Sequence, residues 1–388
     1  MPDYSIERLT AKDYDEWLNV LNTVFTKHNN RDVNFEASLP KMCVRDDLHM
    51  NMHFAVKENG RICSLLGVYP IKTQIGNKEL MFSTVGNVAT LPEHEGKGYM
   101  RILMGYAMDE LTRIGADASR LGGARQRYSR YGYEYCGRNY TFSITGMNTK
   151  YFFDDKEKIT FKQIDSKDTA ALGFINDLRK SAPMHVIRSN SDDFSGDYLT
   201  LTAYKSLPKI ALNKDGNPVG YVAISEDGKE IRDIMAKDTN ALKNMIYNLQ
   251  ISAQDTITFT LPAYDIESVR YFSSVAQFMQ VSPSCHFKII NFDKVTDALL
   301  KLKKTYTPNM TEGEKVLEIK DWGNILIYNK SGEAFCEKTD KSADVTLDKL
   351  TATRLLFGSF DADTVIKCDN FLSSVLPLPL SWNTLDRV

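Results

Sequence analysis

This chain has little that would place it in a membrane, on a nucleic acid or in an oxidising compartment. No segment approaches the ~18 consecutive apolar residues of a membrane-spanning helix, so no span is expected. With 48 Lys and Arg against 50 Asp and Glu, the net charge is -2. There is no global basic field to hold a phosphate backbone, and a nucleic-acid partner is not expected. Six cysteines, at 43, 63, 136, 285, 336 and 368, make no C-x-x-C or C-x-x-H spacing and read as scattered reduced thiols. His49 and His53 stand at an i, i+4 spacing that could hold a metal, but no third ligand accompanies them, and no metal is expected. The first residues lack a basic start followed by an apolar run, so the expected location is cytoplasmic.

What is present is ordinary globular material. The 388 residues are 43% hydrophobic and 25% charged, enough for two or three domains. A strand over 4–9 leads to a helix that Thr10 caps, with Asp13 three residues on as in a capping box. Trp17, Val20, Leu21, Val24 and Phe25 share one face of that helix. Asn59-Gly60 predicts a two-residue hairpin turn between strands over 53–58 and 62–75. A strand over 80–91 is followed, after Gly98, by Met100, Leu103, Met104, Ala107, Leu111 and Ile114 at helical spacing, with Gly115 as the stop. A further strand covers 116–121. The pattern predicts an α/β domain with a mixed sheet over residues 1–147. A second unit, 148–281, repeats the order helix, hairpin, strand, helix, strand, as a degenerate duplication would. A third, 282–388, has a strand, a helix over 292–302, a hairpin around Asp321-Trp322-Gly323, a strand over 343–347 and a helix over 348–357. Its tail contains Pro377 and Pro379, whose fixed φ and missing N–H argue for an extended segment.

The chemistry concentrates between residues 83 and 104. A strand runs into a tight loop, Glu95-Gly96-Lys97-Gly98, and then into a helix N-terminus. The first amides of a helix have no intrahelical partner, and the helix dipole adds positive potential there. Gly96 and Gly98 let the backbone approach phosphate oxygens, and Lys97 and Arg101 stand at the rim, so the junction suits a diphosphate. A Walker A loop is excluded because Gly98, not Ser or Thr, follows Lys97. A dinucleotide fingerprint is excluded because Arg101 stands where the third glycine belongs. Taken alone, the two glycines fit equally a tight turn with no ligand.

In context, the segment Val88-Ala89-Thr90, Pro92, the loop and the amphipathic helix resemble the acetyl-CoA-binding motif of the GNAT superfamily. Here Glu95 and Met100 stand where that family has Gln or Arg and Gly or Ala. The stretch Gly122-Gly123 through Tyr128-Ser129-Arg130-Tyr131-Gly132-Tyr133 is similar to a stretch in the Eis-type members. The resemblance implies tandem GNAT-like domains followed by a sterol-carrier-like α/β domain, with a tail that returns to the first. It implies an N-acetyltransferase that uses acetyl-CoA and no metal, acts on a small-molecule or peptide primary amine, and assembles as a homo-oligomer. It implies cofactor contacts from Val88, Ala89, Thr90, Glu95, Gly96, Lys97, Gly98, Tyr99, Met100 and Arg101.

It also implies that Tyr128 is the general acid and that the carboxylate of the last residue, Val388, is the base. A phenol with pKa of ~10 is protonated at neutral pH and can donate to a leaving thiolate. Equally, Tyr128 can pack in an aromatic cluster with Tyr131, Tyr133 and Tyr135. The oxyanion is expected at a backbone N–H near Val88. Phe25 and His28 are candidates for the acceptor cleft, beside an ordinary packing or surface role. Arg125, Arg127 and Arg130 form a basic run that fits either a CoA phosphate or a solvated face. Trp322 and Trp382 fit a pocket wall or a core. Residues 229–239 carry no G-x-G, so the second unit is expected to bind no CoA. The alternatives are a non-catalytic acyl-CoA-binding or sensing protein and a structural interaction module.

Overall fold

The computed structural model describes residues 4–154, 156–188 and 195–386. The chain builds a mixed α/β structure around four sheets. No helix among the described residues is long and apolar enough to cross a membrane.

The first sheet begins with β1 (Tyr4–Arg8). After a single 3-10 turn comes α1 (Tyr14–Asn29). The Asp13 carboxylate accepts from the Thr10 amide at 2.8 Å and the Thr10 hydroxyl at 2.9 Å, which settles the first turn. Strands β2 (His53–Glu58) and β3 (Arg61–Ile75) close over a turn in which Asn59 has φ 49° and Gly60 φ 74°. Both signs are those of the turn that matches strand twist, which is why Asn-Gly stands there. β4 (Lys78–Thr90) pairs with β3, and a helix, α2 (Tyr99–Arg113), carries the chain to β5 (Ala118–Leu121), parallel to β4. α2 stops in a Schellman turn: Gly115 has φ 65°, and the Ala116 amide reaches the Leu111 carbonyl at 3.0 Å.

β6 (Glu134–Cys136) closes this sheet, but not against β5. The strand between them, β15 (Cys285–Ile289), comes from far along the chain, giving the order β1-β2-β3-β4-β5-β15-β6, with the short β9 (Met184–Val186) pairing with the end of β3. Conversely β7 (Asn139–Ile144) leaves the first sheet and lies between β13 (Ile257–Pro262) and β14 (Phe278–Ser282). Strand pairing therefore crosses both of the positions, 147/148 and 281/282, at which the sequence pattern changes. A third sheet, β12-β11-β10-β8, combines β8 (Thr160–Gln163), β10 (Leu207–Leu212), β11 (Pro218–Ile224) and β12 (Ile231–Ala236). The fourth holds β16 (Gly313–Ile319), β17 (Gly323–Lys330), β18 (Glu333–Lys338) and the short β19 (Val345–Leu347).

Two cores flank the first sheet. On the α2 side are Val68, Val85, Leu103, Met104, Leu111, Leu121 and Tyr133. On the α1 side are Trp17, Leu21, Leu65, Tyr69 and Ala89. A third core is continuous from Phe82, Ala118 and Phe287 of this sheet into Leu317, Ile325 and Leu356 of the last unit. The tail belongs to it: Leu376, Leu378, Leu380 and Trp382 are buried, and Trp382 stacks on Phe82 with centroids 5.6 Å apart. Burying such a run removes apolar surface from water and holds the tail against the sheet that carries the glycine loop.

Candidate active site

The cleft begins where two parallel strands part. β4 and β5 are paired from Phe82 and Ala118 to Val85 and Leu121. There β5 ends, while β4 runs on to Thr90 without a strand on that side. On its other side β4 carries a bulge. Gly86 faces Gly67 and Ala89 faces Leu65, so Asn87 and Val88 together oppose Leu66 and stand outside the ladder. Asn87 takes a left-handed φ of 55°. Ala89 turns into the α1-side core, Val88 borders the α2-side core, and the Thr90 hydroxyl donates to Ser64 Oγ at 2.8 Å, because Ser64 gives its own proton to the Ala89 carbonyl at 3.0 Å.

The glycine loop sits at the open end of this cleft. Gly96 has φ 80° and Gly98 φ 82°, conformations that side chains resist. A Cβ at Gly96 would meet open space and one at Gly98 only the Arg101 guanidinium at 3.7 Å, so the backbone here is accessible. Gly98 caps α2 without a side chain, and no acidic residue lies in the first turn. The helix after β12 is different. α4, counting α3 as Thr169–Lys180, covers Thr239–Ala253, and the Asp238 carboxylate accepts from the Ala241 amide at 2.8 Å. A carboxylate already occupies that helix end and would repel a diphosphate, whereas the end of α2 is left to a ligand.

Not every loop side chain points at the cleft. Glu95 and Arg101 are exposed, and Met100 packs partly on the α2-side core. The Lys97 ammonium donates to Glu58 at 2.9 Å and 3.1 Å and lies 3.0 Å from His94 Nδ1. Tyr99 is buried, with its hydroxyl donating to Glu58. Glu58, Cys63 and His94 bring ligand atoms within 4.8 Å of one another, the one such group with metal spacing among the described residues. Lys97 stands among them and already balances the Glu58 charge, so the carboxylate has its counter-ion. His49 and His53 are each engaged elsewhere: His49 bonds Asp46 at 2.8 Å, and His53 bonds Tyr69 at 2.8 Å.

Tyr128 ends a one-turn helix and is buried, its ring lying against Gly123, where a Cβ would come within 2.5 Å of Cε2. Gly123 is therefore required for the tyrosine to lie down there. Burial pushes the Tyr128 phenol above its ordinary pKa. Tyr133 is also buried, bonded to Ser119 Oγ at 2.8 Å, while Tyr135 is exposed against His286. Within the basic run, Arg125 is committed to Glu134 at 2.6 Å, and Arg127 and Arg130 are exposed. At the end of α1, Phe25 stands edge-on to Phe35 at 5.0 Å and His28 is exposed. Trp322 donates to the Ile290 carbonyl at 2.7 Å and packs on Phe292.

Sequence reasoning missed two clusters. In the first, His53, Tyr69 and Asn87 join β2, β3 and β4 beneath the bulge: Asn87 Nδ2 donates to the Tyr69 hydroxyl at 2.7 Å. An asparagine inside a strand was the available signal, and it carries no partner in its spelling. The second surrounds the tail. Lys41 donates to the Leu385 carbonyl at 2.6 Å, Arg120 to the Asp386 carbonyl at 3.3 Å and to Thr84 on β4 at 3.1 Å. Arg188 bonds the Asp386 carboxylate at 2.6 Å and also Asp197. Burial would raise the Asp386 pKa, but Arg188, Arg179 and Lys41 overcome it and hold the carboxyl at about 2. Burial drives Lys41 down to about 7, against the pull of Asp386. The cluster borders a cavity of about 510 Å³ lined also by Arg179, Asp233, Trp382 and Asn383. Val388 lies outside the described residues.

Residues 5–136 match the family model described as the acetyltransferase (GNAT) domain. No curated protein matches the chain in sequence. Among solved structures, a conserved protein from Enterococcus faecalis is 17% identical with a TM-score of 0.67, over 97% of this chain and 98% of that one. A GCN5-related N-acetyltransferase from Anabaena variabilis is 15% identical with a TM-score of 0.68, over 98% of both chains. Eis1 from Mycobacterium abscessus is 13% identical with a TM-score of 0.67, over 97% of this chain and 99% of that one. At these identities the likeness concerns the fold, and it extends along the whole chain. The parted strands and the uncapped glycine loop thus lie within the stretch, residues 5–136, that matches the acetyltransferase (GNAT) domain model.

Proposed function

We propose that the chain is an acetyl-CoA-dependent N-acyltransferase acting on a primary amine of a small molecule or peptide. The observation that carries this reading is the opening between β4 and β5 beyond Val85, beside the uncapped N-terminus of α2, inside the GNAT domain. In this reading the backbone of Val88 to Thr90 pairs with the pantetheine, and the loop from Glu95 to Arg101 takes the diphosphate. Backbone amides and Gly96 and Gly98 do most of that work, since Lys97 and Tyr99 are engaged with Glu58.

Attack of the amine on the thioester carbonyl forms a tetrahedral oxyanion, which the amide hydrogen near Val88 stabilises. Collapse breaks the carbon–sulfur bond, and Tyr128 delivers a proton to the departing thiolate. The raised pKa of Tyr128 keeps its proton in place at neutral pH. The amine's proton passes to the terminal carboxylate of Val388. Support for that role is the path of the tail, whose Leu385 and Asp386 carbonyls are held by Lys41 and by Arg120 on β5. Phe25 and His28 remain candidates for the acceptor side, and a homo-oligomer, the three-unit division and a sterol-carrier-like last unit remain part of the proposal.

The test has two stages. Calorimetry with CoA alone asks for binding; no binding at millimolar CoA would end the reading. A panel of amines with acetyl-CoA, read by free thiol release, then identifies turnover. Tyr128→Phe is expected to lose at least about a hundredfold in kcat with CoA affinity kept, at the low end of the range for a general acid. Unchanged turnover would remove Tyr128 from the mechanism.

A further inference from the structure

We propose that Tyr69, fixed between His53 and Asn87, is a positioning residue that holds the β4 bulge and so aims the Val88 amide at the developing oxyanion. This inference rests on the acyl-transfer reading above and names what keeps its oxyanion donor in place.

Asn87 sits in a strand at φ 55°, a left-handed conformation that few side chains accept but asparagine tolerates. Glycine would adopt this conformation without strain, and Gly86 is its neighbour, yet position 87 is asparagine. Its side chain is what the position uses: Nδ2 reaches across to the Tyr69 hydroxyl at 2.7 Å. The hydroxyl is itself fixed from the other side. His53 Nδ1 lies 3.3 Å from the Met50 carbonyl, which can only accept, so Nδ1 carries the proton. Nε2 is then a bare acceptor, 2.8 Å from the Tyr69 oxygen. The hydroxyl donates to His53 and accepts from Asn87, and one arrangement of protons satisfies all three groups.

Space has been made for this arrangement. Gly67 and Tyr69 lie on the same face of β3, and a Cβ at Gly67 would fall on the Tyr69 hydroxyl. The chain therefore keeps position 67 bare so that the ring can lie back toward the bulge. His53, Tyr69 and Asn87 are all buried, and Trp17 closes the network from α1 with its ring 4.8 Å from that of His53. With water kept out, each broken bond leaves an unsatisfied buried group, which makes the clamp stiff. The clamp lies on the α1 side of the sheet, while the glycine loop lies beyond the C-terminal end of β4, after Thr90, at the start of α2. Disturbing the clamp should alter the donor's direction and leave the diphosphate grip alone.

The experiment uses the full chain with acetyl-CoA and the best amine from the panel. Y69F is expected to lower kcat about tenfold to a hundredfold, less than outright loss of an oxyanion donor, with KM for acetyl-CoA changed less than about twofold. Y69F/N87G should recover to within about threefold of wild type, because glycine holds the left-handed turn without a clamp. A residue that merely packs would not be rescued by a glycine on the neighbouring strand. Should Y69F fail to fold, G67A displaces the hydroxyl without removing it and must show the same loss and the same rescue. Amide hydrogen exchange over residues 83–90 gives a reading independent of turnover: faster in Y69F, restored in Y69F/N87G. If no amine is acetylated by the wild-type chain, the acyl-transfer reading falls, and exchange alone still judges the clamp. Y69F with kcat near wild type, a loss without rescue, a parallel loss of CoA affinity, or unchanged exchange would each overturn the inference.

Discussion

Acid should strip stability from this protein through one buried histidine. His53 is fully buried between Trp17 and Tyr69, and burial, opposed only by the backbone contacts at Met50 and His49, takes its pKa from 6.5 down to about 4. The sign follows from which state binds the proton. Between pH 4 and 6.5 the unfolded chain is protonated at this position and the folded chain is not. Stability is therefore complete above pH 6.5 and is lost as pH falls toward 4. The drop in pKa corresponds to about 3 kcal/mol over that window, with a local slope no steeper than about 1.4 kcal/mol per pH unit. Protonation would also set an N–H against the Tyr69 hydroxyl, which now donates to that nitrogen. Carboxylates titrate in the same range, so the comparison is with H53Q, which carries no proton to gain. Urea unfolding followed by circular dichroism at pH 7, 5.5 and 4.5 should show the wild type losing about 2 kcal/mol more than H53Q by pH 4.5. Parallel curves for the two proteins would refute the reasoning.

Three further outcomes follow from the same geometry. G98A forces a side chain to φ 82° at the helix end and should weaken CoA binding at least tenfold by calorimetry, with a stability cost of about 1 kcal/mol. D386N removes a carboxylate held at about 2 by Arg188, Arg179 and Lys41; it should cost on the order of 2 kcal/mol at pH 7 in urea unfolding and lower turnover, and unchanged values in both would contradict the tail's proposed role. W382A empties the stack on Phe82 and should cost about 3–5 kcal/mol in the same assay, with turnover falling as the tail loosens.

Local sequence determined a good deal here. The capping pair Thr10 and Asp13, the Asn59-Gly60 turn, the stop at Gly115 and the glycines at 96 and 98 act through their own backbone conformations or nearest neighbours, so a few consecutive letters suffice to place them. The mixed α/β class and the strand, loop and helix of the candidate site were legible for that reason. Tertiary structure alone decided the rest, because the deciding contacts join residues far apart in the chain. β15 completes the first sheet from beyond residue 280, and β7 leaves it. Neither fact can be read from a strand pattern, which specifies faces but not partners. The engagement of Lys97 by Glu58, 39 residues away, is of the same kind. His49 and His53, four residues apart in sequence, take separate partners, Asp46 and Tyr69, because one lies in a helical turn and the other begins a strand. The clamp beneath the bulge and the grip on Asp386 are likewise products of packing: their chemistry exists only once three strands, or three distant segments, have been brought together and dried.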